Sequence, residues 1–258
     1  MDRFKEIYDY RNMIKKLVQR ELRGRYQRSV LGMLWTLINP ALHIIIYAFV
    51  FTVIFPSNIP NYPVYLMAGM IPWTFFSDAL ADGTKAIVNN ADMTKKIYFP
   101  REALVIATVT SKLVNMLFAF VIIFVLVFVF GVGIDPTVIW ALPLVMLAEY
   151  LVALGFSLAF SSIAVYLQDM IHIVEVIVSI WIWATPVMYT LDYLPARLAQ
   201  LLKINPMTDI ITCYHLLIYN KWLPSPQLMI GCLLVGVLVT VVGELVFAHL
   251  EPNFAEEL

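Results

Sequence analysis

The chain contains no loop of the form G-x-x-x-x-G-K-[ST], so it cannot cradle nucleotide phosphates by that route. It has no G-x-S-x-G elbow and no cysteine or histidine spacing suited to zinc, so no metal or catalytic site is expected. His43, His172, His215 and His249 are scattered. A lone histidine in an apolar segment is more often a hydrogen-bonded packing residue than a ligand. Cys213 and Cys232 make no metal-type pair, and a disulfide between them would need Cα atoms within bridging distance. Charge is scarce as well. Asp, Glu, Lys and Arg make up 14% of the 258 residues, against about a quarter in soluble domains. With so little polar surface the chain cannot cover a globule of its size.

What is present is apolar surface. The chain is 61% hydrophobic, with a mean hydropathy of +0.82. This composition predicts an all-α integral membrane protein. Six stretches are long enough to cross a hydrocarbon core of about 30 Å: Val30–Phe55, Pro63–Ala81, Ala103–Phe130, Val138–Tyr166, Met170–Tyr189 and Leu228–His249. The second is the weakest, because it holds Asp78 and ends against Asp82. The predicted organisation is an interface helix over 1–28 followed by one membrane domain over 29–258.

Basic residues set the orientation. Arg3, Lys5, Arg11, Lys15, Lys16, Arg20, Arg23, Arg25 and Arg28 precede the first span. Lys85, Lys95, Lys96, Arg101 and the near-interface Lys112 fall on the same side, and only Arg197, Lys203 and Lys221 fall on the other. The N- and C-termini are therefore expected in the cytoplasm. No cleavable signal peptide is expected, since the first 28 residues lack an apolar core of the needed length.

Residues 3–25 have the periodicity of an interfacial helix. Phe4, Ile7, Tyr8, Ile14, Leu17, Val18 and Leu22 fall on one half of the wheel, and Lys5, Asn12, Lys16, Gln19, Arg20 and Arg23 on the other. Such a helix anchors to the membrane, and it can also touch a partner. The loop 85–102, with the run KAIVNNADMTKKIYFPR, is basic and helix-capable, which suits docking of a soluble partner. In the first span Asn39-Pro40 predicts a kink. The segment 190–227 has two short apolar helical runs broken at Asn205-Pro206, neither long enough to span. A re-entrant hairpin and a pair of surface helices both fit it.

Ionisable residues inside spans are costly and count as functional candidates. Lys112 and Glu149 fall near mid-membrane in adjacent antiparallel spans, and are expected to pair. The pair is either structural or a proton relay. Tyr47, Phe51 and Phe55 share one face of the first span, and Trp181, Thr185, Met188 and Tyr189 one face of the fifth. Such stripes usually pack helices or form interfacial belts. On a pathway they would offer flat apolar surface with hydroxyl rims, suited to sugar rings.

The run Arg20-Glu21-Leu22-Arg23-Gly24-Arg25-Tyr26, followed by Ser29-Val30-Leu31-Gly32, Trp35 and Asn39-Pro40, resembles the permease subunits of ABC transporters that export polysaccharides and polyol phosphates. Further matches are Gly69 with Trp73 and Phe76, Asn89-Asn90 with Lys96 and Phe99-Pro100, Asp169 after Tyr166, Thr185-Pro186 with Tyr189, Asn205-Pro206 and the closing Phe254-Ala255-Glu256-Glu257-Leu258. The ordered set is most similar to O-antigen permeases of Gram-negative bacteria. The chain departs from the family pattern at Gln168, at Tyr214-His215 and at Glu251-Pro252.

The resemblance implies a homodimer of six-span permeases in the inner membrane, bound to two ATP-binding subunits that hold ATP and Mg. This chain itself would carry no cofactor and no catalytic residue. The resemblance places Arg20, Arg23, Arg25, Asn89, Asn90, Lys95, Lys96, Phe99 and Arg101 at the coupling surface. It places Trp35, Tyr47, Phe51, Trp181, Met188 and Tyr189 along the substrate path, which would carry a lipid-linked polysaccharide. Rival readings are a drug or small-lipid exporter, a proton-coupled carrier using Lys112 and Glu149, and a membrane glycosyltransferase.

Overall fold

A computed structural model of the chain describes residues 2–24, 35, 38, 42, 45, 46, 49, 50, 59–96, 98–191 and 194–257. Every regular element among them is helical. Helices α1 (Asp2–Asp9) and α2 (Arg11–Gly24) open the chain. Then come α3 (Tyr62–Lys85), a 3-10 turn at Val88–Asn90, α4 (Ala91–Lys96), α5 (Glu102–Val129), α6 (Pro136–Ile139) and α7 (Leu142–Tyr166). They are followed by α8 (Asp169–Trp181), α9 (Ala196–Leu202), α10 (Pro206–Tyr214), a π turn at His215–Asn220, α11 (Pro226–Leu250) and α12 (Phe254–Glu257).

Among the described residues four helical stretches are long and apolar enough to cross a membrane: Tyr62–Lys85, Glu102–Val129, Pro136–Tyr166 and Pro226–Asn253. They coincide with the expected second, third, fourth and sixth spans. The expected first span, with Tyr47 and Phe51, lies mostly outside the described residues, as does Arg25. The fifth differs from expectation. Its α-helix, α8, has 13 residues, about 20 Å at about 1.5 Å per residue. Proline disfavours the helical region for the residue before it. Thr185, ahead of Pro186, is extended at φ −126 and ψ 133 and ends the 3-10 turn Ile182–Ala184.

Three helices start by one device, a polar cap followed by proline. The Asp135 carboxylate accepts from Thr137 N at 2.9 Å, Asn205 Oδ1 from Met207 N at 3.0 Å and Ser225 Oγ from Leu228 N at 3.3 Å. Each cap satisfies a backbone donor that the first turn leaves unpaired, and proline at the first helical position has no donor to lose.

The core is built on α7, which packs against α3, α5 and, most extensively, α11. The α7–α11 seam is a backbone contact. A Cβ on Gly243 would collide with the Gly155 carbonyl, and one on Gly155 with the backbone of Val239. Gly236 would meet the Ala148 carbonyl at 2.9 Å. Thr240 Oγ1 crosses the seam to donate to Leu151 O at 2.8 Å. Small residues let helices approach this closely in an apolar solvent, where dispersion and hydrogen bonds replace the hydrophobic effect.

The expected single N-terminal helix is two helices meeting at Tyr10. Hydrogen bonds from Tyr10 N to Glu6 O and from Ile14 N to Tyr10 O carry the pattern across the join. Helix α2 packs on α5 with Leu17 buried. Tyr8, on the apolar half by periodicity, is exposed, with the Arg11 guanidinium over its ring at 4.4 Å. The segment after α8 breaks at Asn205-Pro206 as expected, but its two helices differ. Helix α9 has no buried residue. Helix α10 buries Met207, Ile210, Ile211 and Tyr214 against α7, α3 and α11.

Candidate functional site

At the basic end of the bundle, three distant parts of the chain are tied together. Arg20 Nη2 donates to Asn90 Oδ1 at 2.7 Å, joining α2 to the loop ahead of α4. Asn90 Nδ2 in turn donates to Ala86 O at 2.9 Å, which fixes the amide. Arg101 Nη1 donates to Glu251 O at 2.7 Å, and its guanidinium lies over the Phe254 ring at 5.6 Å. That links the start of α5 to the end of α11. Asn89, Lys95 and Arg23 are exposed and available to a partner. Lys96 closes α4. Phe99 does not face outward: it is buried in the chain's own core, so its part is to seat the loop. Tyr98 is the exposed aromatic beside it, at 83%.

The expected pairing of Lys112 with Glu149 does not form. Lys112 Nζ pairs with Asp82 of α3. Glu149 accepts from the Tyr214 hydroxyl at 2.6 Å, and its Oε1 has no hydrogen-bond partner among the described residues. Depth explains this. Counted at about 1.5 Å per residue from the basic end, Lys112 sits about 15 Å along α5 and Glu149 about 25 Å along α7. The nearest carboxylate at the height of Lys112 is on α3. A second link across helices α3 and α8 is the Lys85 Nζ to Glu175 Oε1 ion pair at 2.6 Å.

The expected pathway residues fall in different settings. Trp35 is helical and half-buried. Trp181 packs edge-on against Phe76 at 5.3 Å and Phe156 at 5.7 Å, a core arrangement. Met188 and Tyr189 lie in the non-helical stretch after Pro186, and their carbonyls accept from the hydroxyls of Tyr62 at 2.9 Å and Tyr65 at 2.8 Å. Tyr189 donates to Trp183 O at 2.9 Å. Asn205 Nδ2 reaches Ala184 O at 3.0 Å and Thr185 Oγ1 at 2.8 Å. These side chains hold the carbonyls that the break at Pro186 frees, which an apolar environment requires. The Tyr65 ring also stacks on His215 at 3.9 Å. The imidazole fits only because residue 69 is glycine, where a Cβ would sit 2.7 Å from Nε2.

Sequence reasoning missed Trp183. It is 67% exposed and ends a stripe of Ile173, Val176, Ile177 and Ile180 on one side of α8, all exposed. It also missed Asp82 as the partner of Lys112. The two cysteines lie on α10 and α11. Both cysteines are buried and unbridged.

Residues 12–219 match the ABC-2 type transporter family. The chain belongs to that family. The match takes in Arg20, the loop 85–102, the ion pairs and the break at Pro186, and stops before α11. Similarity to individual proteins runs further. The chain is 33% identical to an O-antigen export system permease protein RfbA of Myxococcus xanthus, covering 98% of each. It is 29% identical to an O-antigen export system permease protein RfbA of Klebsiella pneumoniae, covering 96% of this chain and 95% of that one. A polysialic acid transport protein KpsM of Escherichia coli is 24% identical over 77% of this chain and 78% of its own length. Membership makes the chain a membrane permease component, which works with an ATP-binding subunit and is not itself the catalyst.

Proposed function

We propose that the chain is the transmembrane subunit of an ATP-driven exporter that moves a lipid-linked polysaccharide of the O-antigen type outward across the inner membrane. The observation that carries this is the similarity to O-antigen permeases along nearly the whole of both chains. The working unit is a homodimer with two ATP-binding subunits, each permease having six spans, cytoplasmic termini and a re-entrant segment over 190–227. The first and fifth spans of each copy face the dimer axis. Helix α10 is the inserted arm of the segment, in line with its burial, and α9 the superficial one.

Coupling runs through the basic end. ATP binding drives transport only if the ATP-bound and ATP-free partner prefer different permease states. Arg20, Arg23, Arg25, Asn89, Lys95 and Lys96 present the docking surface. The Arg20–Asn90 and Arg101–Glu251 hydrogen bonds then carry displacement of loop 85–102 to α2 and to the end of α11. Arg101, already engaged within the chain, transmits the motion and does not hold the partner. The carrier reading has no proton pair to work with, since Lys112 and Glu149 bind different residues. Lys112 joins α5 to α3, and Glu149 joins α7 to α10.

The path needs weak, repeated contacts, because tight ones would stall a sliding polymer. Trp35, Tyr47, Phe51 and the exposed Trp183 provide stacking surface for sugar rings. Trp181, Met188 and Tyr189 shape the wall behind them. Deleting the chain should abolish surface polysaccharide and leave lipid-linked polymer inside the cell. Restoring it should recover export only with an ATP-binding subunit whose phosphate-binding lysine is intact. Export that persists with that lysine replaced would refute the reading.

A further inference from the structure

The chain has two cysteines, and the fold brings them together. Cys213 lies on α10, the arm of the segment 190–227 that enters the core, and Cys232 lies on α11. The two helices pack on each other. Both side chains are buried, at 0% and 5% exposure, and their thiols are in hydrogen-bond contact with one another. The next residue, Tyr214, donates to Glu149 of α7. Consecutive residues of the arm thus face the two helices of the α7–α11 seam. Depth puts the cysteine pair near one edge of the membrane. The stretch Pro226–Asn253 has 28 residues, about 42 Å at about 1.5 Å per residue, against a hydrocarbon core of about 30 Å. When centred, its first residues rise about 6 Å beyond the core. Cys232, about 9 Å along from Pro226, then lies only about 3 Å below the edge.

We propose that Cys213 and Cys232 form a modification site: a disulfide, made by exchange with a disulfide oxidant of the outer compartment, that staples the inserted arm to the last span. The proposal rests on the orientation given above, with cytoplasmic termini, because that puts the start of α11 on the oxidising side. One cysteine thiolate attacks a sulfur of the oxidant's disulfide, giving a mixed disulfide and one oxidant thiolate. The other cysteine then attacks its partner's sulfur in the mixed disulfide, forming the Cys213–Cys232 bond and releasing the second oxidant sulfur. The chain loses two electrons and two protons, and the oxidant gains them and leaves as two thiols. Timing follows from burial. The thiolate is the reacting form, and apolar surroundings disfavour it. Exchange therefore takes place as the arm seats, while α10 is still open to water, and packing afterwards shields the bond from reductants. Cysteines also serve as small apolar packing residues. Packing alone would scatter them through the core. Here the two meet each other, across a contact that seats a segment too short to span. The loop they close contains the π turn His215–Asn220 and Lys221, which is left-handed at φ 59. That conformation is uncommon for a residue with a side chain, and closing the loop helps to hold it.

The test counts thiols in the full-length permease, expressed in cells with a thiol-oxidising outer compartment. Membranes are quenched in acid, denatured and treated with a maleimide polymer that adds a visible mass for each thiol. With two cysteines in the chain, the count is unambiguous. The unreduced wild type should take up no label, and the reduced wild type two. Cys213→Ser and Cys232→Ser should each take up one label without reduction. Reduction should lower the melting temperature of the purified permease by about 5 °C or more. The double variant Cys213→Ala with Cys232→Ala should melt near the reduced value and not respond to reductant. Two labels on the unreduced wild type would overturn the site, and so would a disulfide-linked dimer in place of a bond within one chain. This count needs no variant, so a substitution that misfolds does not obscure it. A fluorescent protein fused to the C-terminus, bright only in the cytoplasm, tests the orientation separately. Two labels with a bright fusion would remove the staple and leave the exporter reading intact. A dark fusion on a full-length, membrane-inserted chain would overturn the orientation on which the staple stands.

Discussion

Helices α8 and α11 both show most of their surface outward, yet they are attached to the bundle in opposite ways. Helix α11 meets α7 backbone to backbone through Gly155, Gly236 and Gly243, with Thr240 bonded across the seam. Helix α8 buries Val174 and Val178, packs Trp181 at its end against Phe76 and Phe156, is tied at its middle by the Lys85–Glu175 pair, and turns out Ile173, Val176 and Ile180, with Trp183 exposed in the turn after it. The first contact has no slack. A packed seam of this kind has one arrangement and resists sliding. The second is made of side chains and one ion pair, with no backbone contact like that of the seam, and side chains can change rotamer. In an exporter that must switch states, α7 and α11 are suited to be the frame, and α8 the part that moves or meets a second copy.

The largest effect that would break this comparison comes from the seam. Gly243→Leu should prevent stable folding, because its Cβ would occupy the place of the Gly155 carbonyl, and backbone cannot yield as a flexible side chain can. Overpacking typically costs about 1–3 kcal/mol where side chains can adjust; here the loss should exceed that range. Detergent-stable yield by size exclusion is the measure. Gly231→Leu on the same helix is the control, since nothing lies within 4 Å of its Cβ position. Equal yields for the two variants would mean that α11 is no more firmly seated than α8.

The next effect concerns the ion pair between α3 and α5. Removing one member of a buried pair costs about 3–5 kcal/mol. Lys112 is nearly fully buried but the Asp82 side chain is 44% exposed, so water softens the penalty. Asp82→Asn should therefore lower stability by about 1–3 kcal/mol, and Lys112→Met alone by less, since the stranded carboxylate can hydrate. The double variant should recover most of the loss in thermal melts. Glu149→Gln should not rescue Lys112→Met, and a rescue there would restore the pairing that adjacent spans suggested. Tyr214→Phe, which removes the hydroxyl that donates to Glu149, should cost about 1–3 kcal/mol.

The residues show why some of this was legible beforehand and some was not. The expected spans two, three, four and six are long apolar runs, and each coincides with a helix long and apolar enough to cross a membrane. The starts at Asp135-Pro136, Asn205-Pro206 and Ser225-Pro226 are local chemistry, readable from two residues each. The short fifth helix was also written locally, in Thr185-Pro186, but the apolar run past it masked the break. The partner of Lys112 was not local. It depends on depth and on which face α5 turns toward α3, and sequence adjacency of spans pointed to the wrong carboxylate. The burial of Phe99 needed separated segments of the chain in place. From charge runs alone its loop reads as basic surface.

The smallest effect on stability, and the sharpest on function, should come from Trp183. Its side chain is two-thirds exposed, and surface substitutions away from caps and cores usually change stability by less than about 0.5 kcal/mol. Trp183→Ala should thus melt like the wild type, and its ATP-binding subunit should co-purify undiminished. If α8 and the turn after it carry the path, surface polysaccharide in cells should still fall several-fold, because an indole face next to the moving helix is lost to the passing chain. Trp181→Ala, at the end of α8, provides the contrast. Packed against Phe76 and Phe156, it should lower stability by about 3–5 kcal/mol, with export falling only as far as folded protein does. Trp183 and Trp181 variants that lose export in equal proportion to their folded yield would make the exposed face of α8 ordinary lipid-facing surface. A Trp183 variant that is folded, coupled to its ATPase and poor in export would mark α8 as the helix the polymer touches.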